Sequence, residues 1–458
     1  MIPTCASVLC ITNANLVLNE KEHGNGLFGI PRYTNMRIAV IGTGAAGLAC
    51  IDRLGAAHEV WAFEQEATPG GHAKTVTVEL EGRSIPVDTG FMVFNSRNYP
   101  LFCRLLERKA IVPQPSDMSF SVTDVTRGVT WRGTSIGSVF AQPRNALRRD
   151  FWAMLADILR FHRLGARNLG RTSSTLAEML SARHWSEKFL EWYLVPLGSA
   201  IWSSEPEAFL HMPAELVTSF FLRHGLLSLG EHPDWKTIPG GSRRYVEAIL
   251  QPLAEQERLL LNTSVQKVTR KGHVVELNTS RGTMEFDQVV LACHSDQALA
   301  MLSDPTELET KVLGSISYRR NQATLHTDER LLPPVPRARA SWNYILGLGD
   351  PGAPRLTYDL SRLQRLHSGQ PILESLNLEQ YIDASKVLAR LEFAHPVLDS
   401  KAIAARKAAS ELVRHAVSRP GLPGTRTWYC GAWWGDGFHE DAMRSGTLVA
   451  TMLSGRLP

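Results

Sequence analysis

Cysteine is scarce in this chain and nowhere paired by spacing: Cys5, Cys10, Cys50, Cys103, Cys293 and Cys430 are scattered, with no C-x-x-C among them. That pattern excludes a disulfide framework and a thiolate metal centre, and it suits a reducing, cytoplasmic compartment. No metal site is expected. Long apolar runs are also missing, and none reaches the roughly 18 to 20 residues that a membrane-spanning helix needs. Excess charge of one sign is lacking too. A formal net charge of +4 over 458 residues gives no sign of a nucleic-acid partner, yet it leaves room for an anionic surface. Internal repeats and low-complexity tracts are absent, which excludes solenoids and propellers. No Lys or Arg precedes Lys21, so the apolar N-terminal stretch lacks the basic start of a secretory signal. Residues 1–35 are expected to be a disordered extension or a misassigned start, because Met36 opens the first regular segment, "MRIAVIG".

What is present is an ordinary globular composition, 44% hydrophobic and 21% charged, on a chain long enough for two domains. Eleven tryptophans promise large apolar surfaces. The most informative stretch is "IAVIGTGAAGLAC", Ile38 to Cys50, an apolar strand running into Gly42, Gly44 and Gly47. In a G-x-G-x-x-G turn the first glycine permits the tight bend. The second lets backbone approach a pyrophosphate, and the third packs helix on strand. The helix start then offers free N–H groups to the anion. "HEVWAFE" forms a second strand ending at Glu64, 22 residues after Gly42, where a carboxylate can accept bonds from ribose hydroxyls. A second glycine pair, Gly70-Gly71, follows Glu64 by six residues and lets the chain pass close to a cofactor that extends beyond the pyrophosphate.

This combination resembles the flavoprotein superfamily of amine oxidases, phytoene desaturases and protoporphyrinogen oxidases. The resemblance implies FAD. It also implies a glutathione-reductase-type, Rossmann-like α/β domain built from discontinuous segments, joined to an α+β substrate domain. His72 stands where the family usually carries Arg. The last block, "CGAWWGDGFHEDAMRSG", resembles the family's strand, glycine and helix that cap the flavin, with Ala432 where an acid is usual. Cofactor contacts are thereby implied for Gly42, Gly44, Ala45, Ala46, Gly47, Glu64, Gly70, Gly71, His72, Val265, Gly431, Phe438 and His439. The FAD domain is expected from 36–110, 236–300 and 426–458, and the substrate domain from 111–235 and 301–425. "MSFSVTDVTRGVTWRG" alternates like a hairpin turning at Arg127-Gly128, and "PLFCRLLERK" reads as a short helix.

"VDTGFMVFNSRNYPLF", "AIWSSEP", "PGGSRRYVEAI" and "LACHSDQAL" narrow the resemblance to a bacterial branch associated with cyclopropane and methylated fatty acid synthesis. That implies dehydrogenation of a modified or unsaturated fatty acyl chain. It also implies a small-molecule or lipid substrate, with a fatty-acid-modifying methyltransferase as functional partner. One segment speaks to lipid independently. Seven arginines lie between Arg144 and Arg171 against only Asp150 and Asp157, with Phe151, Leu155 and Leu159 on one helical face. Such a helix suits peripheral contact with an anionic inner-membrane surface. The face is first read as core, because one amphipathic helix does not make a membrane protein. His439 and Glu440 are the catalytic candidates, the histidine for proton transfer near neutrality, although both also fit a helix cap. Trp433 and Trp434 could wall an aromatic amine pocket or simply pack, and Cys430 or His72 could carry a covalent flavin. Beside acyl dehydrogenation stand amine oxidation, flavin-dependent double-bond isomerisation and a non-catalytic flavin-holding role.

Overall fold

The computed structural model describes residues 35–168, 174–228, 233–418 and 426–454; the expectation for residues 1–34 lies outside them. Arg37–Ile41 (β1) and Glu59–Phe63 (β2) pair in parallel, joined by the helix Ala45–Leu54 (α1). A right-handed strand-helix-strand unit is the expected product of two apolar strands with an amphipathic helix between them. The full parallel sheet has five strands, in the order Leu259–Leu260, β2, β1, Gln288–Leu291, Thr427–Tyr429. Burial on both faces explains why β1 reads as a nearly unbroken apolar run.

A second, seven-stranded sheet runs in the order Val387–Pro396, Tyr318–His326, Leu373–Leu376, Leu356–Asp359, Trp342–Leu346, Phe120–Asp124, Val129–Arg132. Its pairings are antiparallel except that of Trp342–Leu346 with Phe120–Asp124. The last two strands are the expected hairpin, with Gly128 at φ +64° in its turn. Its core includes Val122, Trp131, Phe151, Trp192 and Phe221, and also Val78, Ile85 and Val87 from the early hairpin Thr75–Leu80/Arg83–Asp88. The short helix Pro100–Arg108 (α2) forms where "PLFCRLLERK" predicts it, with Pro100 as its first residue. A one-turn helix, Ile136–Val139 (α3), and the long helix Arg149–Asn168 (α4) follow the hairpin.

On α4 the core stripe is Phe151, Met154, Ile158 and Phe161, all buried, while Leu159 stands exposed. The expected face through Phe151, Leu155 and Leu159 therefore splits. At 100° per residue, Leu159 falls far enough from Phe151 to join a different edge of the helix. No helix among the described residues is long and apolar enough to cross a membrane.

Candidate functional site

The glycines at the end of β1 do different work. Gly42 sits at φ +99°, and a Cβ there would lie 2.7 Å from the carbonyl oxygen of Ala292; one on Gly47 would lie 2.0 Å from that of Gly42. Both are required by the protein's own packing. At Gly44 a Cβ would meet nothing within 4 Å, and that space belongs to a cavity of about 2420 Å³. No side chain caps the start of α1 at Gly44, so its first-turn N–H groups are left for an anion. Gly71 passes directly above: its added Cβ would stand 3.2 Å from the Cα of Gly44.

Buried Glu64 is held by its neighbours. Thr43 donates to it from its backbone N–H at 3.1 Å and its hydroxyl at 2.5 Å, and the Glu66 N–H donates at 3.1 Å. The Thr43 hydroxyl in turn accepts from the Gly70 N–H at 3.1 Å. One threonine thus ties the carboxylate to the second glycine pair. Asn262 and Thr263 donate from their N–H groups to the carbonyls of Glu66 and Glu64, and Val265 lines the cavity just beyond.

At the other end of this cradle the lining includes His72, His294, His395, Gly431, Phe438 and His439. The His72 ring lies 5.2 Å from both Phe393 and His395, with its Nε2 buried and unpartnered. Burial, then the neighbouring His395 and His294, push it down to about 3. His294 stacks on Tyr318 with centroids 4.2 Å apart. His439 lies flat on Phe91 at 3.7 Å, edge-on to Phe102, with its Nε2 3.3 Å from the Tyr245 hydroxyl. Burial alone pushes His439 to about 3, so it is neutral at pH 7 and built into an aromatic stack.

Glu440 corrects an expectation. Its carboxylate accepts from the N–H groups of Leu101 at 2.8 Å and Phe102 at 3.2 Å, capping the start of α2, and it does not border the cavity. The helix end satisfies its orphan donors with the nearest acid, leaving that acid unable to reach a substrate. Asp441 similarly accepts from the N–H groups of Asp436 and Phe438. The Asp436 carboxylate is clamped by Arg223 and by Arg406, the latter at 3.2 Å.

A sequence model of the family described as flavin containing amine oxidoreductase matches residues 45–338. The chain belongs to that family. FAD is the cofactor, and the protein is an FAD-dependent oxidoreductase. The fold is similar to that of cyclohexylamine oxidase from Brevibacterium oxydans IH-35A, at TM-score 0.64 and 13% identity, covering 92% of this chain and 99% of that one. It is also similar to a CLA-producing fatty acid isomerase from P. acnes, at TM-score 0.61 and 16% identity, with 91% and 98% covered. Reduced UDP-galactopyranose mutase aligns at TM-score 0.64 and 15% identity, covering 92% and 94%. No curated protein sequence matches the chain.

The cradle of this flavin oxidoreductase fits a dinucleotide on its own terms. The space a Cβ would fill at Gly44 is open, a second glycine overlies it, and a buried carboxylate stands at the end of β2. Other sequence-stated candidates fall differently. Trp433 is buried, its indole N–H donating to the Cys293 carbonyl at 3.3 Å, and Trp434 is tilted 53° to it and off the cavity. The two do not form facing walls. Cys430 is buried 3.9 Å from the Cys50 sulfur and also off the cavity. Sequence reasoning missed Thr43, His395, Phe393, Lys74 and Lys236, all of which line the cavity. Only Thr43 left a local signal, as the hydroxyl residue between the first two glycines.

Proposed function

We propose that this oxidoreductase dehydrogenates a long apolar chain, a fatty acyl chain carrying a branch, ring or double bond. The observation that carries the reading is the cavity. It continues from the glycine cradle past Trp131, Ile158, Tyr193, Leu197 and Trp202 to the outer edge of α4, with a volume of about 2420 Å³. FAD itself would fill the cradle end of this space. What lies beyond it is an elongated passage lined by Trp131, Ile158, Tyr193, Leu197 and Trp202, a shape and chemistry suited to an apolar chain. The proteins it resembles in fold include both an amine oxidase and a fatty acid isomerase, and the apolar length of the cavity favours the acyl chain.

In this reading Gly42, Gly44, Ala45 and Ala46 would hold the pyrophosphate of FAD, Gly47 would let α1 pack close enough to present them, and Glu64 would hold a ribose. Val265 would border the adenine side, and Gly70, Gly71, His72, Gly431, Phe438 and His439 the ring side. The parallel-sheet segments 36–110, 236–300 and 426–458 would form the FAD domain, and 111–235 and 301–425 the substrate domain. FAD supplies a hydride acceptor when bound. One C–H bond of the chain breaks with its electron pair leaving as hydride. The adjacent carbon gives up a proton, and the electrons of that second C–H bond become the new C=C bond. The proton would go to the imidazole of His294, which lines the cavity stacked on Tyr318. The aromatic walls keep water from competing. The reaction that must precede this one installs the branch or ring, the work of a fatty-acid-modifying methyltransferase.

The test is the anaerobic visible spectrum of the holoprotein on addition of monomerically dispersed methylated and unsaturated fatty acids, with an amine mixture in parallel. Bleaching by the fatty acids alone is expected. Bleaching by amines alone would replace the reading with amine oxidation, and new diene absorbance without net bleaching would replace it with isomerisation.

A further inference from the structure

α3 and α4 meet at the outer end of the cavity, where Phe140 and Trp152 pack with ring centroids 5.3 Å apart. Ile136 is 82% exposed, Trp152 51% and Leu159 40%, and all three also line the cavity. Leu147, 87% exposed, stands beside them, next to Ala146, whose carbonyl accepts from the Trp152 indole N–H at 2.8 Å. Of the eight exposed large hydrophobics among the described residues, four are at this one edge. Scattered exposed leucines need no account, but a group at a cavity mouth does.

The charges around the mouth divide into used and unused. Arg148 pairs with Asp150 at 2.8 Å, and Arg160 with Asp157 at 3.5 Å while stacking on Trp185. Arg149 and Arg163 are exposed and meet no acid among the described residues. Residues 149, 152, 156, 159 and 163 fall at successive steps of three and four, one stripe along the helix. Its two ends are cationic, and between them lie Trp152, Ala156 and Leu159.

We propose that this stripe, with Ile136 and Leu147, seats the protein on an anionic phospholipid surface, so that an acyl chain enters the cavity directly from the bilayer. The proposal rests on the acyl-chain reading above. Arginines at the level of lipid phosphates with apolar side chains about 5–10 Å deeper is the arrangement of an interfacial helix. A second copy of the chain is the poorer occupant. A two-fold contact would set the stripe against itself and bring the same arginines face to face, which like charges oppose.

Sedimentation of the oxidised holoprotein with vesicles tests this without any turnover. Vesicles of phosphatidylcholine with about a third phosphatidylglycerol should carry the protein down at low salt, and phosphatidylcholine alone should carry much less. Arg149→Glu with Arg163→Glu should weaken partitioning by at least about 25-fold, at about fivefold per lost charge. Leu147→Glu should weaken it about tenfold. None of these three residues borders the cavity, so flavin content and melting temperature should be unchanged. Wild type that stays in the supernatant, or variants that sediment like wild type, would overturn the proposal. So would self-association of wild type that Leu147→Glu abolishes, in place of vesicle binding. Flavin bleaching by monomeric fatty acid without vesicle binding would sink the membrane contact and leave the substrate reading intact. Vesicle binding without bleaching would do the reverse.

Discussion

The two ends of the cavity are made of different material. The cradle end is backbone, with a glycine whose missing Cβ leaves room and a helix start that carries no side-chain cap at Gly44. The far end is side chain: tryptophans, tyrosine and leucines brought together from separate helices and from the seven-stranded sheet. A backbone site tolerates almost no change in residue type but is indifferent to what lies far away. A side-chain site tolerates exchange and depends on everything packed behind it.

The sharpest way to break this comparison is at the glycines. Gly44→Val places its new atoms in open cavity, so the protein should fold and melt near wild type yet lose FAD by a hundredfold or so in affinity. Gly47→Val drives its Cβ into the Gly42 carbonyl and should lose both FAD and solubility. Flavin absorbance per protein, read beside a melting curve, separates the two. If both variants lose the fold, Gly44 serves packing and the cradle has been misread.

A smaller effect belongs to Glu440. Burial raises its carboxyl to about 7, against the opposing pull of the Leu101 and Phe102 N–H groups. A carboxyl raised on folding stabilises the protein below its unfolded value of 4.5, and that contribution is lost as pH rises from 4.5 through 7. Glu440→Gln should remove this dependence, gaining on wild type by about 2–3 kcal/mol between pH 5 and 8. Denaturant titrations across that range check it, and parallel curves for the two proteins would mean that the buried carboxyl does not titrate there.

The smallest expected change is at His439. Stacked on Phe91 and neutral, it acts as part of a wall, so His439→Phe should keep anaerobic flavin reduction within about threefold of wild type. A loss of about a hundredfold or more, with a lost limb in the pH–rate profile, would restore it as the proton acceptor.

How much of this was legible follows from where the information lies. Gly42, Gly44, Gly47 and Glu64 are local to one strand-helix-strand unit, so spacing alone carries them. Thr43 was readable in principle, because a hydroxyl between two glycines beside a buried acid has few other partners. His395 was not: it reaches His72 only because Val387–Pro396 pairs with Tyr318–His326 at the sheet edge, and nothing near His72 in sequence announces that. Glu440 shows the converse error. It stands in the first turn of the last helix, and its partner, the start of α2, lies 339 residues earlier in the chain. Leu159 was placed on the wrong edge of α4 because a spacing of eight drifts off the face that a spacing of seven keeps.

The close crossing of α1 and the last helix, His439–Ser454, has a further consequence. A Cβ on Gly446 would stand 2.1 Å from the carbonyl oxygen of Ala46, and the Cys50 thiol donates to the Gly446 carbonyl at 3.2 Å across 396 residues of chain. On the ribosome, therefore, the glycine cradle is made first and then waits, with one side of α1 bare, through most of translation. A nascent chain shorter than this helix leaves bare the apolar side of α1 that Gly446 and its neighbours cover, so stable cofactor loading should await the arrival of the C-terminal segment.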